Sequence, residues 1–117
     1  MKSNQLRLAR ARQAGVRSAA GSDMYSQLPG KTRGQASLLN LQACAAAGMS
    51  PLEVIRAATV NAADLLGQQN QLGALEPKMA ADLIAVTGDP LTDVAALTQV
   101  RFVMKCGQVV KNELTAK

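Results

Sequence analysis

Asp23 is the acidic residue whose sequence context best suits chemistry. It closes the tripeptide Gly21-Ser22-Asp23, which directly follows a short, mostly apolar run at residues 16–20. Such a run, interrupted by glycine, is typical of a buried strand whose carboxyl end opens into a loop. A carboxylate at the start of a loop can bind a cation or accept a proton, but the same tripeptide is also an ordinary turn or helix cap. The local sequence leaves both interpretations open.

The sequence contains no histidine, which removes the usual neutral-pH acid or base and the commonest metal ligand. A self-contained Ser-His-Asp, Cys-His or histidine-rich zinc site is therefore excluded. Cys44 and Cys106 lack metal-site spacing. Without a secretory segment, they are predicted to be reduced thiols of a cytoplasmic protein, with no disulfide between them.

The length and composition indicate one small folded domain with a thin core. The chain has 117 residues, too few for a complete large enzyme, and it is 48% apolar and 18% charged. Tyr25 and Phe102 are its two aromatic residues, so aliphatic and alanine side chains must build the core. No apolar run approaches the ~20 residues of a membrane helix, so no membrane partner is expected.

Positive charge is concentrated near the start of the chain. The net charge is +5, and the first 33 residues contain seven Lys and Arg but only one acidic residue, Asp23. This distribution permits a nucleic-acid binder as a hypothesis. The lack of a recognition motif and of interleaved aromatic residues argues against it, so no nucleic-acid partner is predicted.

The elements that must position Asp23 are predicted from periodicity and capping. Helical spacing of Leu and Ala is ended by Gly15 and again by Gly48, while Ser50 and Glu53 form a capping box around Pro51. Thr59 is expected to cap one more helix. The predicted helices cover residues 4–14, 34–47, 51–58 and 60–66.

The second half of the chain has the pattern of strands. A compact apolar strand is predicted at residues 83–86, followed by a turn and at best one helical turn over residues 93–97. A hairpin is predicted around Cys106-Gly107 from strands at residues 101–105 and 108–111. The polar residues 68–71 mark the predicted boundary between domains 1–67 and 68–117.

Four segments, taken together, carry a family resemblance. They occur in the right order and spacing from about Leu8 to Asn112, and they read AGVRSAAGSDMYSQLPGKTRG, AAAGMSPLEVIRAATVNAADLLG, LGALEPKMAADLIAVTGDPL and VRFVMKCGQVVKN. The chain resembles the carboxyl-terminal portion of the metal-dependent amidohydrolase superfamily, in its imidazolonepropionase-like and Xaa-Pro or Xaa-Arg dipeptidase branch. The resemblance implies an incomplete α/β fold. Residues 1–67 would be the last βα portion of a TIM-like (β/α)8 barrel, and residues 68–117 the carboxyl-terminal strands of a small β-sandwich domain.

The resemblance also implies roles for two residues. Asp23 falls on the family's aspartate at the end of strand eight, which is similar to a metal ligand that also takes a proton from the metal-bound water; Ser22 and Met24 would be neighbours only. Arg33 lies in a loop that closes over substrate in the family, where a guanidinium could bind a substrate carboxylate through two hydrogen bonds. The alternative for Arg33 is a solvated basic loop.

Other polar residues of the family pattern are expected to be structural. The resemblance gives Arg56, Thr59 and Asn61 roles in caps and packing, and it places Asp82 and Asp89 in strand and turn positions. None of these five residues is assigned to a site.

Two departures from the family pattern fall in turns. Lys78 stands where relatives have glycine, which would cost about 1 kcal/mol if its φ is positive, and Cys106 stands where glycine or aspartate is usual.

The family's other metal ligands have no counterpart in this sequence. A zinc site of this kind needs three protein ligands plus water, and Asp23 is one. The divalent metal, with Zn2+ as the expected ion, would therefore belong to a longer parent, and no stoichiometric metal is expected on this chain alone.

The leading hypothesis is a portion of a metal-dependent hydrolase of carbon–nitrogen bonds, with a dipeptide or N-acyl amino acid as substrate. The isolated chain is predicted to be inactive. The alternative is a noncatalytic remnant or association module that pairs with the missing barrel portion or with a second copy of itself.

Overall fold

The computed structural model describes residues 3–23 and 27–114, so Met24 and Tyr25 lie outside the described residues. Within those ranges the chain forms four α-helices, one 3-10 helix and three strands. In chain order they are α1 Ser3–Gln13, α2 Arg33–Ala46, α3 Pro51–Ala58, α4 Val60–Leu65, β1 Leu83–Val86, the 3-10 helix Val94–Thr98, β2 Val100–Lys105 and β3 Gln108–Asn112. The order of helices and strands agrees with the prediction except at residues 16–20.

Capping boxes fix where α2 and α3 begin. At α3 the Ser50 hydroxyl accepts from the Glu53 N–H at 3.3 Å, and the Glu53 carboxylate accepts from the Ser50 N–H at 2.7 Å, as predicted. Thr32 and Gln35 make the same reciprocal pair at α2. Arg33 is consequently the first residue of α2 and not a loop residue, which corrects its predicted location.

Thr59 does not cap α4, so that prediction is wrong. Its hydroxyl donates instead to the carbonyl of Ile55 at 2.7 Å, and no side-chain cap precedes α4. A threonine hydroxyl at the end of a helix lies within reach of the carbonyl four residues back, and this bond competes with capping. Thr59 therefore closes α3 instead of opening α4.

Residues 16–20 do not form the predicted strand. Their backbone meets helices: the Val16 N–H donates to the Ala11 carbonyl at 3.0 Å, and the Ala20 N–H donates to the Ala57 carbonyl at 2.8 Å. A strand needs a ladder to another strand, but within residues 3–23 and 27–114 the ladders join only β1, β2 and β3. Val16 is 56% exposed on this unpaired segment.

The three strands form an antiparallel sheet in the order β1-β2-β3. Met104 on β2 faces Leu83 on β1 and Val109 on β3. The β2–β3 hairpin turns at Cys106 and Gly107, both with positive φ, at +49° and +76°. This pair of angles is that of a type I′ turn, so the predicted hairpin is confirmed.

The core is thin and lies between the helices and the 3-10 helix. Met49, Val54, Ala57 and Val94 are buried against one another, and Val54 is the largest fully buried side chain among the described residues. Val94 comes from the strand-rich half, so both halves of the chain contribute to one core. The expectation of a core without aromatic residues is confirmed.

Candidate functional site

Three helices hold the short stretch that leads to Asp23. We call residues 18–22 the anchored segment. The Asn61 side chain on α4 donates to the Ser18 carbonyl at 3.0 Å, and the Ala57 carbonyl on α3 accepts from the Ala20 N–H at 2.8 Å. The predicted structural role of Asn61 is thereby given a specific contact.

Helix α2 holds the far end of the anchored segment. The Asn40 amide donates to the Gly21 carbonyl at 3.2 Å, and the Ser22 hydroxyl donates to the Ser37 hydroxyl at 3.2 Å. Ser37 in turn donates to the Arg33 carbonyl at 2.9 Å. A chain of two hydroxyl groups therefore joins the start of α2 to the residue before Asp23.

Asp23 is an exposed residue that directly follows the anchored segment. Its φ is +47°, a left-handed conformation that is uncommon outside glycine but more accessible to aspartate and asparagine than to most residues. No hydrogen bond or ion pair to its carboxylate occurs within residues 3–23 and 27–114. The carboxylate is free to meet a ligand from outside the described chain.

Arg33 is exposed at the amino end of α2, and its backbone carbonyl belongs to the hydroxyl chain described above. The structure thus connects the backbone of Arg33 to Ser22 beside Asp23 through hydrogen bonds. Its guanidinium forms no ion pair with any described residue. The chain of hydroxyl groups thus ends at the Arg33 backbone on one side and at Ser22, the residue before Asp23, on the other.

The described residues do not fit a complete metal site. No group of three or more His, Cys, Asp or Glu side chains that could hold a metal occurs among them. Zinc sites need at least three protein ligands, and Asp23 can supply one. Any metal held at Asp23 must take its other ligands from elsewhere.

The Glu53 carboxylate is held in a structural ion pair. The Arg12 guanidinium, 2.7 and 2.8 Å from the two Glu53 oxygens, and the Ser50 N–H lower the pKa of Glu53 to about 2. This ion pair ties α1 to α3. It lies beside an open cleft of about 380 Å³ near Arg17 and Arg56, at the opposite end of the anchored segment from Asp23.

Asp82 and Asp89 both hold turns: Asp89 lies in a turn, while Asp82 directly precedes β1 and binds the turn of the β2–β3 hairpin. Asp82 accepts from the Cys106 N–H at 2.7 Å and from the Lys105 ammonium at 3.1 Å, and these bonds lower its pKa. Asp89 accepts from the Leu91 N–H at 2.9 Å and from the Thr92 hydroxyl at 3.1 Å. The Asp89 carboxylate is thus occupied by its own turn, and the Asp82 carboxylate by the hairpin turn between β2 and β3.

Sequence reasoning missed Ser37 and Asn40. Both lie on one face of an amphipathic helix, where polar side chains ordinarily face solvent, and their partners are 15 and 19 residues away in sequence. The available signal was their spacing of three residues, which brings side chains together on a helix. No described helix is both long enough and apolar enough to cross a membrane.

Comparison with known proteins gives a consistent result. A model of the amidohydrolase family matches residues 1–110. The imidazolonepropionase of Geobacillus kaustophilus (strain HTA426) is 35% identical over 74 residues, which cover 61% of this chain and 18% of that protein.

Solved structures match over more of the chain. A Xaa-Pro dipeptidase with methionine bound in its active site gives a TM-score of 0.82 at 30% identity, covering 92% of this chain and 25% of that chain. An amidohydrolase structure gives a TM-score of 0.83 at 31% identity, covering 94% of this chain and 26% of that chain. The chain spans about a fifth to a quarter of the length of these proteins.

Proposed function

This chain belongs to the amidohydrolase family, and from that premise we propose that it is the carboxyl-terminal part of a metal-dependent hydrolase of carbon–nitrogen bonds. The substrate class is a dipeptide or an N-acyl amino acid. The similarity to a Xaa-Pro dipeptidase and to an imidazolonepropionase supports this class. Residues 16–20 would correspond to the last strand of a barrel, and they would gain strand partners when the rest of the barrel is present.

The placement of Asp23 is the observation that carries the proposal. Three helices anchor the segment that precedes it, and its carboxylate is exposed and without a partner among the described residues. A carboxylate held in this way can accept a proton from an attacking water and return it to the leaving nitrogen. Asp23 also supplies one oxygen ligand to the metal of the complete enzyme, with Zn2+ as the expected ion.

Arg33 is proposed to bind the substrate carboxylate. Its exposed guanidinium can make two parallel hydrogen bonds to a carboxylate, which dipeptides and N-acyl amino acids both carry. Its backbone is coupled to the segment that ends in Asp23 through Ser37. These bonds place the first turn of α2, which carries Arg33, next to the residue that precedes Asp23.

The isolated chain is expected to be inactive because one aspartate does not make a metal site. Hydrolysis of N-acyl amino acids and dipeptides is measured with the chain alone and added Zn2+, and no turnover above buffer is expected. Clear hydrolysis by the isolated chain would contradict the proposed division of metal ligands.

The role of Asp23 is tested by grafting this chain into the Xaa-Pro dipeptidase in place of its matching quarter. The graft is expected to hydrolyse dipeptides, and Asp23→Asn is expected to remove that activity, because general acid–base groups contribute about 10²–10⁴-fold. Asp64→Asn is the matched control, since Asp64 pairs with Arg17 on the surface. Equal activity of both variants would overturn the assignment.

The role of Arg33 is tested in the same graft. Arg33→Gln is expected to raise KM for a dipeptide with a free carboxyl group and to leave KM unchanged for its carboxyl-amidated form. A similar rise for both substrates would show that Arg33 does not bind the carboxylate.

A noncatalytic association module is the second candidate. The hairpin exposes large apolar side chains, with Val109 at 55% and Val110 at 68% exposed, and Ile84 on β1 is 49% exposed. Light scattering across a concentration series separates the candidates. A defined oligomer supports an association module, whereas the lack of a defined oligomer across the series supports a part of a larger enzyme.

A further inference from the structure

We propose that Ser37 and Asn40 are positioning residues that set the backbone conformation of Asp23. The inference rests on the proposed function, because it assigns residues that hold the proposed catalytic carboxylate. Neither residue is proposed to contact substrate or metal. Both act through the two residues that precede Asp23.

Asn40 binds the backbone carbonyl of Gly21, near the end of the anchored segment. Its Nδ2 donates to the Gly21 oxygen at 3.2 Å, two residues before Asp23. Asn40 lies three residues after Ser37, so the two side chains share the face of α2 that meets the anchored segment. The helix therefore grips this segment at two consecutive residues.

Ser37 links the segment to the start of its own helix. Its hydroxyl accepts from Ser22 at 3.2 Å and donates to the Arg33 carbonyl at 2.9 Å. The Ser22 hydroxyl proton is donated to Ser37, and the Ser37 hydroxyl proton is donated to the Arg33 carbonyl, so both hydroxyl groups donate in the same direction along the chain of bonds. The Ser22–Ser37 bond is partly buried, which shields it from competing water.

The need for such support follows from the φ of Asp23. At +47° this residue occupies a conformation that L-amino acids adopt at a cost, and such conformations persist where the surrounding structure determines them. Within the described residues Asp23 makes no hydrogen bond of its own through its carboxylate. The bonds to Gly21 and Ser22 are thus the contacts that can fix its backbone from the preceding side.

A fixed backbone at Asp23 fixes the direction of its carboxylate. Catalytic groups lose much of their effect when they move by about 1 Å from the productive geometry, and supporting hydrogen bonds prevent that movement. Loss of Ser37 or Asn40 would leave the carboxylate present but misdirected.

The test is NMR spectroscopy on the labelled full chain, with the intraresidue HN–Hα NOE of Asp23 as the readout. Positive φ brings these two protons close, so a strong NOE marks the left-handed conformation. The NOE is expected to be strong in the wild type. In Asn40→Ala and Ser37→Ala it is expected to fall to the level of neighbouring residues with negative φ.

Two further variants separate positioning from general stability. Ser37→Thr keeps the hydroxyl and should retain the strong NOE, while Asn70→Ala makes the same chemical change as Asn40→Ala at an exposed turn residue and should also retain it. If Asn40→Ala fails to fold, the comparison of Ser37→Ala with Ser37→Thr decides.

A strong Asp23 NOE in both Ser37→Ala and Asn40→Ala would overturn the inference, as would its loss in Asn70→Ala. The measurement uses no metal and no substrate. An inactive graft, or an active Asp23→Asn graft, would therefore defeat the proposed function without changing this result, and the two failures are distinguishable.

Discussion

Positive φ angles at residues other than glycine mark three places in the described chain: Asp23, Lys78 and Cys106. Each conformation costs about 1–2 kcal/mol relative to the right-handed region. Cys106 is the first residue of a hairpin turn, and its N–H donates to the Asp82 carboxylate. This hydrogen bond offsets the cost of its positive φ. Lys78 is exposed at +71°, in a turn that the Met79 N–H closes by donating to the Glu76 carbonyl at 3.2 Å.

Replacing Lys78 with glycine is expected to stabilise the chain by about 1 kcal/mol, because glycine adopts positive φ without a steric penalty. Urea unfolding measures the change as a higher midpoint with an unaltered slope. Lys31→Gly serves as the control, since the structure gives Lys31 no positive φ, and it should not stabilise. A lower midpoint for Lys78→Gly would contradict the proposed strain.

The strain at Lys78 could be predicted from the sequence, whereas the contacts of Ser37 and Asn40 could not. A lysine in a turn that relatives make with glycine indicates the backbone angle directly. A polar residue on a helix face does not indicate its partner, because that partner lies far away in sequence. The residues that could be anticipated are those whose conformation depends on local neighbours.

At the scale of elements, one ion pair joins α1 to α3. Arg12 bonds both Glu53 oxygens, and the same carboxylate caps α3 through the Ser50 N–H. These bonds hold the pKa of Glu53 at about 2, below the ordinary value of about 4.3. The ionised form is therefore favoured more in the folded chain than in the unfolded chain.

This difference fixes the sign of a pH effect. Because the folded pKa is lowered, the stabilisation is present above the unfolded value and is lost as pH falls from about 5 towards 2. Glu53→Gln should therefore lose less stability than the wild type over that interval in urea unfolding. Glu76→Gln, at an exposed residue outside the ion pairs of the described chain, should behave as the wild type does.

Elements could be predicted where short sequence patterns determine them. The capping box at Ser50 and Glu53 acts over three residues, and the hairpin at Cys106-Gly107 over two, so both were correctly predicted. The role of Thr59 was not correctly predicted, because its hydroxyl can either cap α4 or donate to the Ile55 carbonyl in α3, and it does the latter. Propensity alone does not decide between two bonds of similar strength.

At the scale of the whole molecule, residues 16–20 are the main departure from prediction, because they form no strand. Residues 16–20 have the composition of a buried strand, but within the described ranges the strand ladders join only β1, β2 and β3. Helices take some of the backbone bonds instead. The sequence indicates the strand propensity of residues 16–20. The structure shows that none of the described strands pairs with them.

Amide hydrogen exchange should report this partial pairing. The Ala20 N–H donates to Ala57 and should exchange slowly, whereas the Ala19 N–H has no bond within the described residues and should exchange faster. If the proposed function is right, adding the polypeptide that it assigns to the rest of the barrel should slow Ala19 as well. Equal exchange at both residues of the isolated chain would show that the anchored segment is not held as described.

The alanine-rich interior makes the chain sensitive to enlargement more than to truncation. Ala36 is 0% exposed and Ala57 is 1% exposed, so an added methylene at either position has no free volume to enter. Ala57 also receives the Ala20 N–H, so a bulkier side chain there would displace α3 and the path to Asp23 together. Substitutions that look conservative by hydrophobicity can therefore shift the anchored segment from a distance, through crowding around the small side chains of the core.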